Sequence, residues 1–124
     1  MLILFVCSSF MKFLVLMTMS PYGDSRLKPA CDFIAAVLEK GHDLSVFFLA
    51  DGVWNALKTI SPASDEWDPL QFFQKCSESA ALFYCEAAGA RRGVTPESAA
   101  SFFRMSSLAE LSDLSVHSDR LVVF

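Results

Sequence analysis

Three apolar runs of strand length, residues 13–19, 44–50 and 81–84, are separated by segments whose apolar residues recur at helical spacing. A strand that is apolar on both faces must be covered on both sides, which is the condition of parallel strands joined by helical crossovers. The first intervening segment is the clearest. Leu27, Ala30, Cys31, Ile34, Val37 and Leu38 fall at i, i+3, i+4, i+7, i+10 and i+11 and make one stripe. Asp24 or Ser25 is placed to cap its start and Gly41 to end it. Asp51 is read as the cap of a short helix holding Val53, Trp54 and Leu57. After a polar loop, Asp68, Pro69 and Gln71 read as N-cap, N1 and N3 of a helix that carries Leu70, Phe73 and Cys76 inward. Residues 86–90 read as a short helix stopped by Gly93, Thr95-Pro96 as the start of a further helical turn, and Ser107 with Glu110 as a capping box. Residues 120–124 form a last strand. The order β-α-β-α-α-β-α-α-β predicts an α/β single domain, with a mainly parallel sheet of four or five strands and helices on both faces.

The chain has 124 residues, enough for one domain. It is 53% hydrophobic and only 19% charged, with a mean hydropathy of +0.40. A small soluble monomer needs less apolar surface, so a membrane segment or a subunit interface should absorb the excess. The formal net charge is -4, and no Lys/Arg block exceeds the Arg91-Arg92 pair. That excludes an electrostatic footprint for nucleic acid. Cys7, Cys31, Cys76 and Cys85 form no C-x-x-C pair, and His42 and His117 are far apart, so no metal site is expected. Cys31 and Cys76 lie on helix stripes and read as small core hydrophobes; all four thiols are read as reduced, in a cytoplasmic protein. Residues 1–10 are uncharged and apolar, with neither a basic region before them nor a cleavage site after them. They are read as an N-terminal extension ahead of Met11, leaving a domain over residues 11–124. A signal anchor is the alternative, although Lys12 interrupts the apolar stretch.

Chemistry points to Cys85. This cysteine ends the run 81–84 and opens the small-residue segment Glu86-Ala87-Ala88-Gly89-Ala90, so it is expected at a helix N-terminus on the carboxyl edge of the sheet. Unpaired N–H groups and the positive end of the helix dipole favour the thiolate there, and the thiolate is the nucleophile. From position alone, a buried structural thiol is an equal alternative. Other candidates have simpler explanations. The loop after the first strand is no Gly-rich phosphate cradle. His42 is expected solvated in a loop, and His117 at a helix C-terminus. Asp65, Glu66 and Asp68 fit a solvated, helix-capping loop. Trp54 and Trp67 fit core or interface anchors. Arg91 and Arg92 could raise the potential near the thiol, but helix rise sets them roughly 9 Å away. Pairing with the helix C-terminus and an oligomer contact are the plainer readings.

Several segments resemble the DsrE/TusD family of sulfur-relay subunits. These are Met11-Lys12-Phe13 with Pro21-Tyr22-Gly23, Gly41-His42-Asp43-Leu44 with Val46-Phe47-Phe48, and Asp51-Gly52-Val53-Trp54-Asn55. The serine-proline loop of residues 61–68, the segment Cys85 to Val94 with its Arg-Arg-Gly, and residues 118–124 continue the likeness, in order, to the end of the chain. The resemblance implies a sulfurtransferase that carries a persulfide on Cys85 without metal or organic cofactor. Its partners would be paralogous subunits and a small sulfur-acceptor protein, in a hetero-hexamer or homotrimer, serving tRNA thiolation or sulfur oxidation. It implies no membrane and no direct contact with nucleic acid. Tyr22, Asp51 and Trp54, each following a strand end, are expected to line the cleft. Two rival readings keep the fold: a non-catalytic assembly subunit, and a small-ligand regulatory module. The chain departs from the family pattern in a shortened stretch between Val94 and Ser107, in Glu86, where small or apolar residues are usual, and in residues 1–10.

Overall fold

The computed structural model describes residues 10–124. The proposed extension therefore lies outside the described residues, apart from Phe10, as does Cys7. The elements are β1 (Lys12–Met17), α1 (Leu27–Glu39), β2 (Asp43–Phe48), a 3-10 helix (Ala50–Ala56), α2 (Pro69–Cys76), β3 (Ala81–Cys85), α3 (Glu86–Arg91), β4 (Arg104–Ser106), α4 (Leu108–Val116) and β5 (Arg120–Val123). The sheet has five strands in the order β4-β3-β2-β1-β5, and every pair is parallel. The apolar runs predict this arrangement.

The crossovers from β1 to β4 all step the same way across the sheet; the last one returns to set β5 beside β1. Right-handed crossovers therefore put α1, α2 and α3 on one face and α4 on the other. Contacts agree. Phe33 of α1 packs edge-on against Phe13 at 6.0 Å and lies 5.8 Å from Phe124. Phe73 of α2 packs edge-on against Phe48 at 5.1 Å. The α1 stripe buries Leu27, Ala30, Cys31, Ile34 and Val37, each stabilising by about 1–3 kcal/mol according to size. On the opposite face, Phe47 and Phe83 stack at 6.2 Å. The α4 helix contributes no fully buried residue there.

Local signals held in part. The Asp68 carboxylate caps α2 by accepting from the N–H groups of Leu70 and Gln71, with Pro69 opening the helix. Gly41 turns the chain after α1 with φ of 79°. Elsewhere the structure corrects the reading. The α1 helix has no side-chain cap; Asp24 instead accepts from the backbone N–H and the guanidinium of Arg26. Asp51 caps nothing, because the helix is 3-10 and begins one residue earlier, at Ala50. Thr95-Pro96 does open a single helical turn, closed by the Ala99 N–H on the Thr95 carbonyl at 2.8 Å, before the chain extends into an isolated bridge between Ala99 and Leu57. The strand β4 (Arg-Met-Ser) went unread. It has three residues and sits at the sheet edge, where no apolar run is required.

Candidate active site

The carboxyl ends of the strands converge on one edge, and the segments that leave them are tightly held. The 3-10 helix after β2 lies directly on the end of β1: a Cβ on Gly52 would stand 2.1 Å from the Met17 carbonyl oxygen. Asn55, fully buried, donates from its amide to the carbonyls of Met19 and Gly52 at 3.0 and 2.9 Å. Ala50, which begins this helix, has φ of 50°, a left-handed conformation that costs an alanine about 1 kcal/mol.

Cys85 is the last residue of β3 and the N-cap of α3, with extended backbone. The Cys85 side chain makes no capping hydrogen bond to α3, which leaves the first-turn N–H groups without that partner. Cys85 is buried, 3% exposed, as in the structural-thiol alternative that its position left open. The topology explains the burial. The β3 strand is not an edge strand; β2 flanks it on one side, and on the other Cys85 is registered with Ser106 of β4. Glu86 is exposed, and the helix is closed tightly behind it: a Cβ on Gly89 would stand 2.7 Å from the Val94 carbonyl oxygen.

Arg92 joins the two segments that meet at this edge. Its Nε donates to Asp51 Oδ1 at 3.0 Å and its Nη1 to the Ala88 carbonyl at 3.1 Å. Trp54 lies beneath the guanidinium at 5.9 Å, and its indole N–H donates to the Arg92 carbonyl. Asp51, Trp54 and Arg92 thus form one cluster beside α3. The charge of Arg92 is matched by Asp51, while Arg91 is exposed. Tyr22 is elsewhere. It lines a separate pocket of about 250 Å³ with Leu27, Lys28, Glu66 and Trp67. Desolvation, then the Glu66 and Asp68 carboxylates, push its phenol upward.

The remaining candidates separate cleanly. Cys31 and Cys76 are buried under the helices. Desolvation pushes their thiols up to about 12 and about 11, which keeps them protonated and inert at neutral pH. His42 is half-buried rather than free in solvent: its Nδ1 accepts from the Met11 N–H at 3.0 Å, beside Phe13. His117 closes α4, where its Nδ1 lies 2.8 Å from the Asp113 carbonyl oxygen. Tyr84, next to Cys85, has a buried hydroxyl without a hydrogen-bond partner. Among the described residues no cluster of His, Cys, Asp and Glu could hold a metal ion. Sequence reasoning missed Ser106. Its one signal was a serine at the start of a capping box, and that box accounts for Ser107 alone.

The fold is a parallel α/β sheet that, among the described residues, carries one cysteine at its carboxyl edge. The chain belongs to the DsrE/DsrF-like family, whose pattern matches residues 11–124. It is 38% identical to Sulfurtransferase TusD of Cronobacter sakazakii, over 92% of this chain and 100% of the relative. It is 37% identical to Sulfurtransferase TusD of Salmonella typhi over the same shares. The alignment spans 128 positions against 92% of 124 residues, so about 14 positions of the relative have no counterpart here, in keeping with a shortened stretch. The crystal structure of the ychN protein from E. coli superposes with a TM-score of 0.84 at 19% identity, covering 93% of this chain and 100% of that one, and so shares the fold.

Proposed function

We propose that this chain is a persulfide-carrying sulfurtransferase subunit with Cys85 as the carrier. Relatives named for sulfurtransferase activity match it along the whole domain. The observation that carries the assignment to Cys85 is its place. Of the three described cysteines, it alone ends a strand at the carboxyl edge, in front of a helix that its side chain does not cap, while the other two are desolvated between helices and sheet. In the first step the Cys85 thiolate attacks the outer sulfur of a donor persulfide, R–S–SH. The donor S–S bond breaks, R–S⁻ leaves, and Cys85–S–SH forms. An acceptor thiolate then attacks that outer sulfur, regenerating the Cys85 thiolate and leaving the acceptor as a persulfide. No electrons enter or leave, so neither step requires a cofactor.

A buried thiol favours a second reading, that of an assembly subunit without catalysis. Relay under this burial requires the short helix α3, six residues long, to move aside for the donor. Partner subunits have an apolar surface available. Leu121 and Val123 on the edge strand β5 are 51% and 60% exposed, and Leu108 and Val116 of α4 are exposed as well. We place the paralogous subunits, or further copies of this chain, on that surface and the small acceptor protein at the Cys85 edge. The match to TusD proteins favours tRNA thiolation over sulfur oxidation. No helix among the described residues is long and apolar enough to cross a membrane, and the unpaired thiols fit a reducing, cytoplasmic setting.

The test is a chase. The protein is loaded with labelled sulfane sulfur, freed of donor, and offered a protein thiol acceptor. Label should pass to the acceptor in proportion to the loaded Cys85, and Cys85→Ser should pass none. Transfer that survives Cys85→Ser would leave the assembly reading in its place.

A further inference from the structure

Two buried side chains among the described residues are polar, Asn55 and Ser106. Asn55 ties the 3-10 helix to the end of β1, its amide N–H groups donating to the Gly52 and Met19 carbonyls while its Oδ1 has no partner. The fold makes no such demand at Ser106: β4 is a short edge strand, and any small residue would fill the place. What singles it out is register. Ser106 is the partner of Cys85 across the β3–β4 pair, and registered partners on neighbouring strands project from the same face, roughly 5 Å apart. On that face α4 approaches, and the Ser106 hydroxyl donates to the Glu110 carboxylate. Glu110 also belongs to the start of α4, where its N–H is accepted by the Ser107 hydroxyl. In an ordinary capping box the carboxylate would reach back to the N-cap backbone; here it reaches Ser106 instead.

We propose that Ser106 is a second catalytic residue, the hydrogen-bond donor to the Cys85 sulfur whenever that atom or its persulfide is anionic, and that Glu110 is the positioning residue that holds the hydroxyl until then. This rests on the assignment of Cys85 as the carrier. A serine hydroxyl has one proton and two acceptor sites. In the resting protein the proton is given to Glu110, and the lone pairs are free for the Cys85 S–H. Ionisation sends the thiol proton to solvent. The serine keeps its own proton and turns it from the carboxylate to the sulfur, while exposed Glu110 takes water in exchange. Other charged groups sit on the elements around Cys85. Glu86 and Arg91 lie on α3, Asp51 of the 3-10 helix is paired with Arg92 just after α3, and Arg104 of β4 lies over the Phe83 ring at 5.7 Å. Glu110 is the one that Ser106 engages.

The experiment follows the rate of Cys85 alkylation by iodoacetamide against pH, read on the Cys85 peptide of the full chain, in the parent protein and in Ser106→Ala, Ser106→Thr and Glu110→Gln. Removing the donor should raise the midpoint by about one pH unit, and threonine should restore it. Removing the carboxylate should lower the midpoint, because a negative charge leaves the neighbourhood and the hydroxyl is freed. A residue that served packing alone would not produce opposite shifts. An unmoved midpoint in Ser106→Ala, or shifts of the same sign in Ser106→Ala and Glu110→Gln, overturns the proposal. Should Ser106→Ala fail to fold, Ser106→Gly is read in its place: a raised midpoint supports the pair and an unchanged one sinks it. Sulfur loading of the parent protein is measured in parallel. Intact loading with unmoved midpoints rejects the Ser106–Glu110 pair only, whereas opposite shifts without loading reject the carrier reading only.

Discussion

A Cβ on Gly52 would stand 2.1 Å from the Met17 carbonyl oxygen and 2.9 Å from its carbon, both backbone atoms with no room to retreat. Gly52→Ala is therefore expected to destabilise the fold by about 3 kcal/mol, measured by urea unfolding; a loss under about 1 kcal/mol would show that the 3-10 turn lifts away from β1. Cys31 and Cys76 set the alkaline limit of stability. Burial raises their thiols from 9.0 to about 12 and about 11, so the folded chain holds protons that the unfolded chain releases. Their contribution is fully present below pH 9 and is lost as pH climbs through the folded values. Urea unfolding at rising pH should show stability falling above pH 9, by up to about 1.4 kcal/mol per pH unit for each thiol, with the slope reduced in Cys76→Ala. At this scale the sequence singled out Cys85 as a candidate but not Ser106, because the capping-box pattern looked complete with Ser107 and register across a sheet leaves no mark in a single segment.

The 3-10 helix and α3 are coupled through Arg92. The Asp51–Arg92 pair is partly open to water, with side chains 55% and 24% exposed. A double-mutant cycle of Asp51→Asn and Arg92→Gln should therefore return a coupling of only about 0.5–1 kcal/mol in urea unfolding; zero coupling would mean that Trp54 packing alone holds the segments together. The Asp68 cap of α2 is a local device, and Asp68→Ala should cost about 1 kcal/mol in the same assay. Elements were legible where periodicity or capping chemistry is strong, as in α1 with its single stripe and α2 with Asp68 and Pro69. They were illegible where tertiary pairing decides. Three residues of β4 become a strand because β3 offers an edge, and Asp51 turns to Arg92 because the chain brings a guanidinium from 41 residues away.

The whole molecule is more apolar than its own core consumes. The α4 helix buries no residue completely, and β5 presents Leu121 and Val123 on one face of a sheet edge. That surface answers the excess in composition, and we expect Leu121→Lys with Val123→Lys to lower the assembled mass in native mass spectrometry of the protein purified with its natural partners, while the thermal midpoint of the chain stays nearly constant. An undiminished assembly would move the interface elsewhere. The account as a whole stands on one atom, the sulfur at the end of β3. Its most direct test is incubation of the native protein with a persulfide donor, followed by peptide mass spectrometry. The result expected is one additional sulfur on the Cys85 peptide, absent from Cys85→Ser. An unmodified Cys85, or added sulfur confined to Cys31 or Cys76, would contradict it.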